Sequence, residues 1–267
     1  MSYSIAGKTA IVTGAARGLG LAIGKHFAEL GAYVMFADAD ERALADELGE
    51  QPDDSNIRFF AGDLREKLTI ANLLSATIDS FDQVDILVNG ARQVIPSDPL
   101  GSDDDSVSTL LNQNVLSALR LSQQVAIRMI KQSVDSENQA PAGSIINLSS
   151  IASRRAHPDL LAYSVSCAAL DQLTRSLAVT LAPNRIRVNA IALGSVMSAS
   201  LQTTLKDNLE YRDEIENHTP LGRIAAASEL AEAAQFLASD ASGFMTGQIM
   251  TLDGGRTLID PVTVPAH

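Results

Sequence analysis

Short runs of β-branched and apolar residues alternate with stretches of helical spacing along almost the whole chain, and few folds accept that rhythm. The first run, "KTAIVTG" (Lys8 to Gly14), stops at a glycine. "RGLGLAIGKHFAELG" then places Leu21, Phe27 and Leu30 at helical spacing before Gly31. "AYVMFAD" (Ala32 to Asp38) is a second strand, followed by the helical "DERALADELGE", the strand "IRFFAGD" and a helix over Glu66 to Phe81. "VDILVNG", a long helix over Asp103 to Gln132, "GSIINLSS", a helix over Tyr163 to Leu181 and "IRVNAIALG" continue the series. A helical insertion from Leu201 to Asn217, a helix over Glu229 to Ala238 and a last strand, "GQIMTLDGG", close it. A strand, a helix and another strand in that order form a parallel pair with a crossover. The expectation is therefore an α/β doubly wound domain whose seven-stranded, mostly parallel sheet carries helices on both faces. "DSENQAPAG" (Asp135 to Gly143) and "PSDPLGSDDD" (Pro96 to Asp105) read as surface loops rather than linkers, so residues 1–267 form one domain.

Composition narrows the function. A formal net charge of −12 argues against nucleic acid and against an anionic membrane surface, because both demand clustered Lys and Arg. No apolar run reaches the length of a membrane span. The single cysteine, Cys167, cannot form an intrachain disulfide, and with no apolar leader evident a cytoplasmic location is expected. The four histidines (26, 157, 218 and 267) are not spaced as metal ligands, and no metal site is expected.

"TGAARGLG" (Thr13 to Gly20) joins the first strand to the first helix. Glycines at Gly14, Gly18 and Gly20 permit a tight turn and let a phosphate approach the backbone, while the helix start offers unpaired N–H groups. Arg17 stands where it can touch that phosphate. Asp38 ends the second strand, where a carboxylate can take ribose hydroxyls and repel a 2′-phosphate, which favours NAD(H) over NADP(H). Asp40 suits a helix cap better. These features describe a Rossmann-type dinucleotide domain.

With those motifs in place, the chain from Gly7 to Gly255 resembles the classical short-chain dehydrogenase/reductase family. The glycine motif is one part of the match. "GDL" puts Asp63 and Leu64 where that family contacts adenine, and "NGA" brings Asn89, Gly90 and Ala91 to the cofactor. "NLSS" followed by tyrosine is the family's serine–tyrosine arrangement, and "NQNV" supplies its helix asparagine, Asn114. "IRVNAIALG" and the residues after it bring Gly194, Val196 and Ser198 to the nicotinamide. The resemblance implies an NAD-dependent oxidoreductase moving hydride between nicotinamide and a small alcohol or carbonyl substrate. Tyr163 would be the general acid/base, Ser150 would bond the substrate oxygen, and Asn114 would hold a water. It further implies a cofactor half over about 1–150 and a substrate half over about 151–267. A homotetramer or homodimer would be built on the helices over Asp103–Gln132 and Tyr163–Leu181 and on the C-terminal segment. The loop after Ser150, the segment after Asn89 and the Met197–Asn217 insertion would set the substrate.

Three positions depart from that pattern. Where the family has lysine one helical turn after the tyrosine, this chain has Cys167. A free tyrosine titrates near ~10, so a phenol without a neighbouring cation is a poor base at neutral pH. The usual "NNAG" is "NGAR", with Arg92 in a glycine's place, and "PG" is "LG" at Leu193-Gly194. Arg92 could replace the lost cation, contact an anion, obstruct the site or point to solvent. Arg154, Arg155 and the charge of oxidised nicotinamide are other sources of positive potential. An enzyme with an altered proton path, a nucleotide-binding pseudoenzyme and a cysteine nucleophile assisted by His157 are the hypotheses left open.

Overall fold

The computed structural model describes residues 3–134 and 141–260. Seven strands form one sheet: β1 (Thr9–Thr13), β2 (Tyr33–Asp38), β3 (Ile57–Ala61), β4 (Ile86–Asn89), β5 (Gly143–Ser150), β6 (Ile186–Leu193) and β7 (Ile249–Leu252). Their order is β3-β2-β1-β4-β5-β6-β7, and every pairing is parallel.

Side-chain parity explains the layers. Successive residues of a strand face opposite sides, so a strand buried on both faces is apolar at every position. Ala10, Val12, Val34, Phe36, Ile146 and Leu148 enter one core with Ile23 and Phe27 of α1 (Gly18–Glu29), Leu44 of α2 (Glu41–Leu48) and Leu230 and Leu237 of α9 (Ala227–Ala238). Ile11, Met35, Leu87, Ile145 and Val188 enter the opposite core. There they meet Ile70 and Leu73 of α3 (Lys67–Phe81), Val125 and Met129 of α5 (Ser117–Ser133) and Ala178 of α6 (Leu161–Leu181).

Two expected helices are broken. The stretch over Asp103–Gln132 starts as α4 (Ser106–Leu111), passes through a π-helical turn at Asn112–Leu116 and continues as α5. The wide turn contains Asn114, and single π turns of this kind recur at functional sites. The insertion over Leu201–Asn217 is two helices, α7 (Ala199–Asp207) and α8 (Glu210–Asn217). Asn208 leaves the helical region between them, and its amide donates to the Thr204 carbonyl at 3.0 Å, satisfying a helix-end acceptor. The loop over Asp135–Gly143 lies largely outside the described residues. The tail expected to pack on a neighbour lies there too, beyond the short 3₁₀ turn Arg256–Leu258 and residue 260.

The sheet order reverses between β1 and β4. The loops leaving their carboxyl ends therefore diverge and open a crevice. A buried polar chain holds the middle of the sheet to the helices behind it. Asn89 Nδ2 donates to Ser122 Oγ at 3.0 Å and to Asn147 Oδ1 at 2.8 Å, and Asn147 Nδ2 donates to Thr174 Oγ1 at 2.8 Å. Asn147→Ala takes one hydrogen bond from each of two buried partners, Asn89 and Thr174, and is expected to cost about 1–3 kcal/mol, read as a lower urea midpoint with unchanged slope. An unchanged midpoint would show that water replaces the amide.

Candidate active site

The first wall of the crevice is the turn after β1. Gly14 has φ +66, and a Cβ there would stand 2.6 Å from the Gly90 carbonyl oxygen, so the turn accepts only glycine. Arg17 precedes α1 in an extended conformation and makes no side-chain cap, leaving the first N–H groups of the helix to an incoming anion. Gly14, Arg17, Gly18, Leu19, Gly20, Asp38, Gly90 and Ser198 line a cleft of about 670 Å³. Such a cradle fits the pyrophosphate of a dinucleotide, and it is where these residues would hold one.

Asp38 lines the same cleft. Its oxygens accept from the Ala16 N–H at 3.0 Å and the Asp40 N–H at 3.1 Å, which fixes the carboxylate at the end of β2. Asp40 is the α2 cap, accepting from the Ala43 N–H at 2.9 Å. That bond, helped by Arg17 at 2.8 Å, holds its carboxyl below the ordinary range. Arg17 is thus paired with Asp40, and Arg42 faces Asp46 at 3.8 Å. Asp63 is bound by Arg65, and Leu64 is buried in the core beneath α3; neither lines the cleft.

The second wall is the loop after β4, and three anchors fix it. Thr13 Oγ1 accepts from the N–H groups of Gly90 at 3.0 Å and Ala91 at 3.1 Å. The Asn89 side chain is committed to Ser122 and Asn147. Asn114 accepts the Gln93 N–H at 2.8 Å and donates to the Gln93 carbonyl at 2.9 Å and to Ser166 Oγ at 3.2 Å. Asn114 therefore clamps the loop, with both ends of its amide engaged.

The loop delivers Arg92 to Tyr163. Arg92 Nη1 donates to the Tyr163 Oη at 3.1 Å and reaches the Ser149 carbonyl at 3.4 Å. Tyr163 is 6% exposed. Burial pushes its phenol above the ordinary value; Arg92 pulls it back, Cys167 adds to the rise, and the Ser150 hydroxyl favours the phenolate. The rise from burial wins, so the resting site holds a protonated phenol. Cys167 is buried one turn behind, and burial also pushes its thiol up. The space around Cys167, Arg92, Asn114 and Tyr163 amounts to about 10 Å³, the limit for one water. Ser150 Oγ donates to the Leu193 carbonyl at 3.4 Å and accepts the Ala152 N–H at 3.1 Å, so it also caps the turn after β5. No lysine lines this region or the cleft.

On its other side Tyr163 borders a pocket of about 570 Å³, shared with Ser150, Gly194, Arg155, His157, Glu214, His218 and Arg256. Arg155 donates to the Thr257 carbonyl, Arg256 Nη1 meets Ser195 Oγ at 3.3 Å, and Glu214 faces His218 at 3.4 Å. Arg154 instead reaches Thr251 Oγ1 at 3.2 Å. Val196 bridges to Ala225, and Ser198 caps α7 through the Leu201 N–H at 3.2 Å. Thr13 and Arg256 were not anticipated from the sequence. Thr13 precedes the glycine motif, which is a usable signal, but nothing local marks Arg256. Among the described residues no cluster of His, Cys, Asp and Glu could hold a metal ion.

A family model described as enoyl-(acyl carrier protein) reductase matches residues 14–257. An uncharacterised oxidoreductase of Mycobacterium tuberculosis is 35% identical over 94% of this chain and 92% of its own length. Cis-4-hydroxycyclohexanecarboxylate dehydrogenase of Sinomonas cyclohexanicum is 33% identical over 97% of this chain and 100% of its own. A 7α-hydroxysteroid dehydrogenase solved with NADH and 7-oxo glycochenodeoxycholic acid superposes with a TM-score of 0.83 at 31% identity, covering 95% of each chain. This chain belongs to the classical short-chain dehydrogenase/reductase family, and it is an oxidoreductase of that type.

The thiol is absent from the lining of both the cleft and the pocket, which leaves a cysteine nucleophile without access to substrate. Iodoacetamide at neutral pH is expected to label Cys167 far more slowly in the folded protein than in urea. Equal rates would mean that the thiol is exposed and activated.

Proposed function

We propose that the protein is an NAD(H)-dependent oxidoreductase acting on a small secondary alcohol or the matching ketone, with Tyr163 as general acid/base. The observation that carries this reading is that Tyr163 and Ser150 line one pocket, while Arg92, bonded to the Tyr163 phenol at 3.1 Å, lines the glycine-lined dinucleotide cleft. The bound nicotinamide supplies or accepts the hydride. The chain does the rest. Ser150 holds the substrate oxygen, and Tyr163 passes its hydroxyl proton to that oxygen in reduction and takes it back in oxidation. With burial keeping the phenol protonated, the acid needed for reduction is ready at neutral pH, whereas oxidation needs the phenolate and gains with rising pH.

Asp38 supports NAD over NADP. It lines the cleft at the end of β2, where Arg17 is paired with Asp40 and Arg42 is not part of the lining. The pocket supports a substrate bearing a carboxylate. Among the described residues neither Arg155 nor Arg256 forms a salt bridge, although Arg256 stands near enough to Asp253 to lower its pKa, in a chain of net charge −12. Two relatives named above also act on or bind compounds whose names include an acid. The apolar side chains exposed on α5 and α6, Ile127, Val165 and Val179 among them, support assembly with further copies of the chain. A non-catalytic nucleotide-binding role is not favoured, since the relatives are oxidoreductases.

Calorimetry is expected to show NADH binding tighter than NADPH, with Asp38→Ser narrowing the gap. Equal affinities in the wild type would overturn the cofactor assignment. Tyr163→Phe is expected to lower kcat by about 10²–10⁴-fold while NADH still binds. A panel of hydroxy acids and their amides should show turnover of the acids at lower KM, with Arg256→Met removing the difference. No hydride transfer across the panel would refute the activity.

A further inference from the structure

Proton transfer at Tyr163 needs the phenolate as one of its two states, and a buried phenolate is costly without a positive charge beside it. The residue one turn on, Cys167, is a neutral thiol with no charge to offer. Among the described residues, the cationic atom bonded to the phenol is Arg92 Nη1, at 3.1 Å.

We propose that Arg92 is a catalytic residue of this enzyme: its guanidinium, delivered by the loop after β4, is the fixed positive charge that stabilises the Tyr163 phenolate in place of a lysine on α6. The proposal rests on reading Tyr163 as the acid/base. Four independent observations carry it. The donor reaches the reacting oxygen itself rather than the ring edge. Arg92 has no carboxylate partner among the described residues, so its charge is not spent elsewhere. Its loop is pinned by Thr13, Asn89 and Asn114, so the contact does not depend on a freely moving tip. The space beside Cys167 is filled to within about one water, so the guanidinium takes up the volume a longer side chain at 167 would need.

Other charged groups around the phenol do not serve. From its own helix, Cys167 opposes the phenolate, and Asp171 is negative when ionised and takes its hydrogen bond from Ser149 Oγ at 2.6 Å. From β5, Ser150 is neutral. From the pocket side, Arg155 and Arg256 are cationic, but their hydrogen bonds go to Thr257 and Ser195 and not to the phenol; His157, Glu214 and His218 line the same pocket.

A guanidinium is charged at every working pH and does not give up a proton. In reduction the phenol O–H bond breaks as the O–H bond of the product forms, hydride arriving from the reduced nicotinamide. Arg92 keeps all its protons and is neither oxidised nor reduced. The phenolate then recovers its proton from water in the pocket.

The test is the ionisation of Tyr163 in the full chain, followed by NMR of tyrosine labelled at Cζ and assigned with Tyr163→Phe. Arg92→Met and Arg92→Gln are expected to move the titration upward by about one pH unit or more. Arg92→Lys should keep most of the wild-type behaviour, and Arg92→Gly combined with Cys167→Lys should bring it back. In the same variants the alkaline limb of kcat for alcohol oxidation should move upward in parallel, about tenfold in rate per unit at a fixed pH below it. A folded Arg92→Met or Arg92→Gln that titrates as the wild type does would overturn the role of Arg92. A shifted titration in a protein that transfers no hydride would instead count against the activity, leaving the charge effect of Arg92 standing.

Discussion

The hydroxyl of Thr13 joins the two walls of the crevice. By accepting from Gly90 and Ala91 it binds the end of β1 to the loop after β4 at the point where the sheet order reverses. That reversal would otherwise leave the loops to diverge freely. Gly14 packs against the same loop so closely that no side chain fits between them. With Asn114 holding Gln93 from the π turn, the backbone on either side of Arg92 is fixed, and the guanidinium has a defined place to reach. The glycine turn and the Arg92–Tyr163 contact are thus two ends of one tied element.

Two electrostatic effects of opposite sign meet on the phenol. Burial favours the neutral form and Arg92 favours the ionised one; burial prevails, and each pKa unit between them corresponds to about 1.4 kcal/mol. The balance suits an acid that must give its proton at neutral pH and whose conjugate base must not be prohibitively unstable. It also separates two tasks. The Asn114 amide holds Gln93 and Ser166, while Arg92 serves the phenol. A guanidinium keeps its protons, so Arg92 supplies charge and relays none.

The sheet was readable because its central strands are buried on both faces and mostly apolar, and the glycine motif marks where the first one ends. Asp38 and Asp40 were also separable on sequence grounds, and the cap is indeed Asp40. What stayed hidden is of another kind. The reach of Arg92 depends on Thr13, Asn114 and Asn147, far apart in sequence, so no local pattern tells whether its side chain turns inward. The π turn at Asn112–Leu116 and the break at Asn208 are irregularities inside helical spacing that periodicity averages away. The Asn114 amide, inside that π turn, is bonded to Gln93, a contact that no local pattern marks.

The departures at positions 92 and 167 make sense only together. A lysine on α6 facing Arg92 would set two like charges against one phenol in a nearly dry space, where repulsion is poorly screened. A cysteine there without Arg92 would leave the buried phenol with no cation bonded to it among the described residues. Moving the charge from the helix to the β4 loop keeps one cation per phenol. The exchange is not symmetric, however. A lysine in the family pattern also bonds the nicotinamide ribose, whereas Arg92 approaches from the loop and is already engaged by Tyr163 and the Ser149 carbonyl.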